Sequence, residues 1–460
     1  MSFRPIGVDP CRSMQSLFVP PFPYRSRDWS PVWTSFFGRR ASNSIYGWPD
    51  EAFDVAWRTR RVLGYTVHLV SDPDAIGRVL LHNKVNYERP ELIRRLLGGA
   101  LGDGLFNAEG ESWREQRRIV APTFSPAAVA GFAEPIAQVV RRQVAGWSKN
   151  ARPMDMAVEA TAATMAIIAA TLFGGDGRLT TPVAASHITA MLDAAGRARV
   201  TALLGIPALG PGSGRARAGG RFLRDTLGAL ADERARVGGG EDFFGGLVAA
   251  LHSRYPAHQA RELAVDNAIA FYVAGHETTA NALTWTIYLL AAQPALQEAV
   301  RAEALTALNG DIDTLDVRLP RLRAVLDEAL RLYPPAPRLD REAMADDELA
   351  GHPVRRGDLV SIWPYVLHRH RAWWDEPDAF DPERFHGDRR ASMHRYQYLP
   401  FGAGPRVCVG ARFAIVEALI VLAHWLAARR FSLRGGPPAV PVARVTLRPE
   451  GGMPLAVSPM

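Results

Sequence analysis

Residues Glu262 to Ala292 constrain this fold more than any other stretch, because they read as one helix of about 30 residues with apolar side chains on more than one face. Such a helix must cross a core, so a large body has to surround it. With 460 residues the chain has enough material for that body. Size alone would suggest two or three domains, but no long Gly/Ser-rich or Pro-rich linker divides the sequence. The expected fold is mainly α with small β regions, with residues 1–60 as coil packed on a single domain at 61–460.

Around that helix the periodicity predicts a strand, a turn at Asp72-Pro73 and a helix within 62–81, and a polar helix from Glu109 to Ala121. Further helices are expected at Pro135–Trp147, Met154–Leu172, near 182–200, from Pro294, and at Arg321–Leu332 before Pro334-Pro335. Short strands are expected between Leu339 and Trp363, a helix at Ala411–Arg429, and strands again over 441–457. The run 205–220 is too glycine-rich to read as regular and is expected to be a mobile cover. Gly238–Gly240 mark another break.

The net charge of +7 raises the question of nucleic acid. Lys84 and Lys149 are the only lysines, the arginines are scattered beside acids, and no zinc module or glycine-aromatic RNA motif is present. A nucleic-acid role is excluded on that ground. Cys11 and Cys408 are the only cysteines and lie far apart, so no disulfide framework is expected and a reducing, cytoplasmic setting fits. The first 50 residues hold prolines and aromatics but no apolar run of ~20, so no membrane anchor is expected.

Chemistry concentrates in four places. Cys408 lies in F-G-A-G-P-R-V-C-V-G (401–410), where Gly402, Gly404 and Gly410 permit a tight path and close approach to a flat ligand. A thiolate there can ligate the iron of a haem, although a buried apolar cysteine beside a turn has the same local pattern. Within A-G-H-E-T-T (274–279), Gly275 and the two threonines weaken the helix, and Glu277 and Thr278 supply an acid and an alcohol. Glu328 and Arg331 share one face of a helix, with Arg384 in D-P-E-R-F as a third partner, a structural network rather than a catalytic one. Arg406, Trp113, Arg117 and Arg341 are candidates for holding haem carboxylates.

Taken in order along the chain, these motifs resemble the cytochrome P-450 family of haem-thiolate monooxygenases over roughly 60–457. The resemblance implies haem b as cofactor, Cys408 as the iron ligand, Phe401 packed near it, and Gly402, Gly404 and Gly410 shaping the loop. It implies that O2 is cleaved with protons passed through Glu277 and Thr278 and that one oxygen atom enters the substrate. The stretch 102–114 resembles soluble fatty-acid hydroxylases of the family, which implies that Phe106 leans over the haem. Leu101, Leu105, Phe106, Phe271, Ala274, Ala336, Pro337 and Val445 are the expected pocket, apolar and suited to a fatty acid, terpene or similar lipophile.

No iron–sulfur cysteine set or flavodoxin-like extension is present. Electrons from NAD(P)H are therefore expected through a separate ferredoxin or flavodoxin and its reductase, the carrier docking on Arg384, Arg389, Arg390, Arg395, Arg406 and Arg412. A soluble, monomeric bacterial enzyme is expected. Epoxidation, desaturation or oxidative coupling by the same kind of site stays open, as does a non-catalytic haem carrier or sensor.

Overall fold

The computed structural model describes residues 17–31, 34, 38–62, 64–148, 150–197, 213–240 and 242–460; Cys11 lies outside them. Strands β1 (Trp57–Val62) and β2 (Tyr65–Val70) pair antiparallel across Gly64, whose φ of +89° suits glycine alone. β1 has no apolar alternation and is half-exposed, which is why only the second strand was expected. Asp72 caps the helical turn Pro73–Gly77, its carboxylate accepting from the Ala75 N–H at 2.8 Å. Strand β3 (Tyr87–Glu88) leads to helices α1 (Glu91–Leu101) and α2 (Gly110–Val120).

Helices α3 (Ala133–Ala145), α4 (Met156–Leu172), α5 (Pro182–Arg197), α6 (Ser213–Arg236) and α7 (Phe243–His252) come next, with strand β4 (Arg152–Asp155) before α4. They lead to α8 (Ala257–Ala291), 35 residues and continuous through 274–279. Nearly every side chain of α8 beyond Ala260 is buried, as its apolar faces require. The expectation of irregular, mobile chain over 205–220 is corrected in part: 213–220 is the first part of α6, and 205–212 lies outside the described residues. Burial of Leu223, Leu227, Leu230 and Ala231 outweighs the helix cost of the glycines, about 1 kcal/mol each. Gly219 has a positive reason as well, since a Cβ there would lie 2.7 Å from the His187 carbonyl oxygen of α5.

Pro294 opens α9 (Pro294–Leu308), and α10 (Pro320–Leu332) stops before the prolines. Strands β5 (Leu339–Ala343), β6 (Asp347–Leu349), β7 (His352–Val354) and β8 (Leu359–Ile362) follow, then the cysteine loop and α11 (Ala411–Ala428). The chain ends in β9 (Arg429–Leu433), β10 (Pro441–Ala443), β11 (Leu447–Pro449) and β12 (Pro454–Pro459). The main sheet has the order β1-β2-β8-β5-β3, with β2 and β8 parallel. A second has the order β4-β12-β9, and β6–β7 and β10–β11 are hairpins. Helix α11 is long and apolar enough to cross a membrane, but it runs mostly buried through the core.

At the other end, the described N-terminal residues lie on this body. Arg25 pairs with Asp378 and sits 3.9 Å over the Phe53 ring, and Phe380 N–H donates to the Phe18 carbonyl at 2.9 Å.

Candidate active site

The cysteine loop is shaped by what glycine allows. Gly402 and Gly404 take φ of +71° and +69°, and a Cβ on Gly404 would fall 1.9 Å from the Leu80 carbonyl oxygen. Gly410, at φ −89°, is in ordinary backbone, and a side chain there would meet only Phe124 at 3.8 Å. Cys408 N–H donates to the Phe401 carbonyl at 3.0 Å and closes the loop. The thiol is free and faces a cavity of about 850 Å³. Protein surrounds it otherwise, so burial pushes the thiol pKa up while the Gly410 N–H and the Arg117 guanidinium act the other way. A thiolate in that position requires a cation as partner, which a metal supplies.

Helix α8 supplies another part of the cavity wall. Phe271, Ala274, Gly275, Thr278 and Ala282 line the same cavity, at the spacing that puts them on one helical face. Thr278 Oγ1 donates to the Ala274 carbonyl at 2.7 Å. Glu277 turns instead to the β10–β11 hairpin, where it accepts from Thr446 Oγ1 at 2.8 Å and lies 3.9 Å from Arg448. Its second oxygen is buried without a hydrogen-bond partner, and burial raises its pKa against the Thr446 and Arg448 contacts. Glu277 and Thr278 therefore share a wall but not a hydrogen bond. Gly275 also has a packing role: its Cβ would meet Ile168 Cδ1 of α4 at 2.8 Å. A second carboxyl, Glu417 of α11, is wholly buried beside Thr279, and burial pushes its pKa well above the usual carboxylate range.

The cations gather on one side of the cavity. Arg406 donates to the Ala108 carbonyl at 2.8 Å, pairs with Glu109 and lies 4.4 Å over the Trp113 ring. Arg341 donates to the Asp340 carbonyl at 2.7 Å. Arg89, which the sequence did not single out, lies 4.5 Å over Phe106 with its Nη1 buried and without a partner. Burial first, then repulsion from Arg406 and Arg341, pulls Arg89 down to about 9, and burial pulls Arg406 down to about 10. Glu109 acts on all three guanidinium groups but pairs directly with Arg406, while Asp340 acts on Arg341 and Glu88 on Arg406 from nearby. Arg89 is left with no direct carboxylate partner among the described residues. The two propionates of a haem would supply negative charge to this cluster, and Cys408 would supply a sulfur ligand for its iron, so these residues fit haem.

The glutamate–arginine network lies outside the cavity wall. Glu328 and Arg331 are fully buried and paired through two hydrogen bonds, at 2.6 and 2.7 Å. Arg331 also donates to the carbonyls of His368, Pro377 and Ala379. Arg384 approaches Glu328 at 3.4 Å, too loosely aligned for a hydrogen bond through its Nε, and donates through Nη2 to the Glu376 carbonyl at 2.8 Å. His368 was missed by the sequence. Its Nδ1–H donates to the Arg331 carbonyl, and its Nε2 accepts from Leu399 N–H at 2.8 Å, two residues before Phe401. The network thereby reaches the cysteine loop.

Of the arginines expected on a docking face, Arg384 is buried in this network and Arg406 points into the cavity, which corrects that expectation for both. Arg389, Arg390, Arg395 and Arg412 are exposed.

Leu101, Leu105, Phe106, Ala336, Pro337 and Val445 also line the cavity, as do Trp113, Arg117, Arg341, Phe401, Gly402 and Gly410. A family profile described as Cytochrome P450 matches residues 55–204 and 256–453. Cyclooctat-9-en-7-ol 5-monooxygenase of Streptomyces melanosporofaciens is 32% identical over 80% of this chain and 81% of its own. A cytokinin hydroxylase of Arabidopsis thaliana is 31% identical over 78% of this chain and 73% of its own. The crystal structure of the cytochrome P450DA heme domain superposes with a TM-score of 0.76 at 24% identity, covering 88% of this chain and 90% of that one, and shows the same fold. The chain belongs to the cytochrome P450 family, as an enzyme with haem b for its cofactor and O2 and a small lipophilic molecule for its substrates.

Proposed function

We propose that this protein hydroxylates a fatty acid, a terpene or a comparable lipophile, as a soluble, cytoplasmic, monomeric enzyme of bacterial type. In this reading residues 61–460 form one haem domain on which residues 1–60 pack. Electrons come from NAD(P)H through a separate ferredoxin or flavodoxin and its reductase, the carrier meeting the exposed Arg389, Arg390, Arg395 and Arg412. One observation supports the reading: Cys408 and Thr278 both line a single cavity whose walls are mostly apolar.

When bound, the haem supplies the redox chemistry of O2 activation. The chain's own residues do the rest. Cys408 holds the iron, and Arg89, Arg341 and Arg406, with Trp113 and Arg117, hold the propionates. Phe106, Phe271, Ala274 and Val445 exclude water and orient an apolar substrate. Glu277, whose pKa burial raises, relays protons at the cavity wall. The Thr278 hydroxyl, now donating to Ala274, can release that bond and donate into the cavity. The Glu328–Arg331–Arg384 network, through His368, fixes where the cysteine loop sits.

The test is turnover of a lipophile with NAD(P)H, a surrogate ferredoxin system and 18O2. One labelled oxygen per hydroxylated product is expected. A hydroxylated product without label would overturn the reading.

A further inference from the structure

The run G-D-G-L-F at 102–106 crosses α8 where two polar residues, Asp266 and Asn267, interrupt an otherwise apolar stretch. Both glycines are required by that crossing. Gly102 takes φ of +57°, and a Cβ on it would fall 2.1 Å from the Asp266 carboxylate. Gly104 lies outside the left-handed region, yet a Cβ there would come within 2.9 Å of the Asn267 backbone nitrogen. The loop therefore lies directly on the helix.

At that distance the loop's backbone is paired with side chains. Asp103 N–H donates to Asp266 Oδ2 and Leu105 N–H to Asn267 Oδ1, each at 2.9 Å. The Asn267 amide donates to Gln116 Oε1 at 2.8 Å, and the Gln116 amide donates to the Asp103 carbonyl at 3.1 Å, which closes a ring through α8, α2 and the loop. The other oxygen of Asp266 accepts from Arg224 of α6 at 2.9 Å. Asp266, Asn267 and Gln116 are all buried, so losing any of these bonds strands a polar group away from water. The next residue is Phe106, which lines the cavity with its ring 40% exposed and Arg89 4.5 Å over it. With so much of the ring unpacked, the backbone behind it decides where it stands.

We propose that Asp266, Asn267 and Gln116 are positioning residues: by holding the backbone of 103–105 on α8 they fix where Phe106 stands in the cavity, and so which carbon of the substrate is oxidised. None of the three lines the cavity. The inference rests on the monooxygenase reading and adds to it the residues behind the wall that set its selectivity.

The test uses two readouts on the haem-loaded protein. With para-fluorophenylalanine at position 106, the fluorine resonance in the ferric state reports where the ring lies, and no substrate is needed. The second readout is the ratio of positional isomers among the labelled products of the 18O2 turnover. Asp266→Ala removes the acceptor for the Asp103 N–H, and Gly104→Ala pushes the loop off α8 with every hydrogen-bonding side chain retained. Both should move the resonance and change the isomer ratio about fivefold or more, as the loss of one buried hydrogen bond would. Asp266→Asn loses the same charge but keeps an acceptor oxygen, and should return both readouts towards the parent. If Asp266→Ala loses its haem, Gly104→Ala decides alone. The proposal is overturned if the resonance stays in place in Gly104→Ala, if it moves while the isomer ratio does not, or if Asp266→Asn departs as far as Asp266→Ala. An unlabelled product defeats the monooxygenase reading instead, with the resonance still deciding whether these residues place Phe106.

Discussion

Thr446 changes the reading of the acid more than any other residue. Neighbours in a helix point about 100° apart, so Glu277 and Thr278 cannot both address one partner. The hairpin resolves this by giving Glu277 its own hydroxyl, and that bond favours the ionised carboxylate. In Thr446→Val the Glu277 pKa should rise further, so the acid stays protonated to higher pH. If Glu277 delivers protons, peroxide formed per NAD(P)H, measured against pH, should begin to climb at a higher pH in the variant than in the parent. An unchanged profile would remove Thr446 from the relay. Such residues also mark where sequence reading stops. Cys408, Arg406 and Thr278 were legible because their motifs are local. Thr446, Arg89 and His368 have their meaning only through residues far away in the chain, which no local pattern records.

At the level of elements, α8 and α10 each carry a test. A Cβ at Gly275 conflicts with one atom, Ile168 Cδ1 at 2.8 Å, the far end of a side chain. Gly275→Ala should therefore cost about 1–2 kcal/mol through overpacking despite its better helix propensity. Ile168→Val removes that atom, and a thermal-denaturation double-mutant cycle should show the two changes compensating. Additive losses would place the strain elsewhere. On α10, Glu328→Ala strands the fully buried Arg331 without its counter-ion. A loss of about 3–5 kcal/mol is expected, seen as low haem content and a lowered unfolding midpoint. Of the long helices, α2 to α5 and α8 to α11 were readable from apolar spacing with bounds a few residues off, while α1, α6 and α7 were not read from the sequence. Two exceptions are instructive: β1 lacks alternation because it lies half-exposed at the sheet edge, and the start of α6 looked irregular although, of its glycines, Gly219 serves close packing on α5.

For the whole molecule, stability should fall in mild acid. Burial lowers the pKa of His276 to about 4 and of His368 to about 3, and lowers those of His370 and His424 as well. Below pH ~6.5 the unfolded chain thus binds more protons than the folded one at these sites, and unfolding is favoured as pH drops. Glu277 and Glu417 oppose this, because their raised pKa values make the folded state bind more protons than the unfolded one. Four imidazoles against two carboxyls leave a net loss, read as a falling urea midpoint between pH 6.5 and 4. Glu417→Gln removes one opposing group and should steepen the fall; a shallower slope would mean that Glu417 is ionised. The mainly helical architecture was evident from one long helix and the absence of linkers. The order of the sheets was not, because strands distant in sequence pair there.

That pairing bears on how the molecule is made. Strand β4 has β12 as its partner, Asn43 binds the backbone of Ala443, and Gly404 presses its loop against Leu80. Each early segment waits for a late one, so a chain still leaving the ribosome cannot assemble the cysteine's cradle. Pigment capture is then an event of the finished polypeptide, and the unfilled chamber must survive long enough by itself to meet its haem.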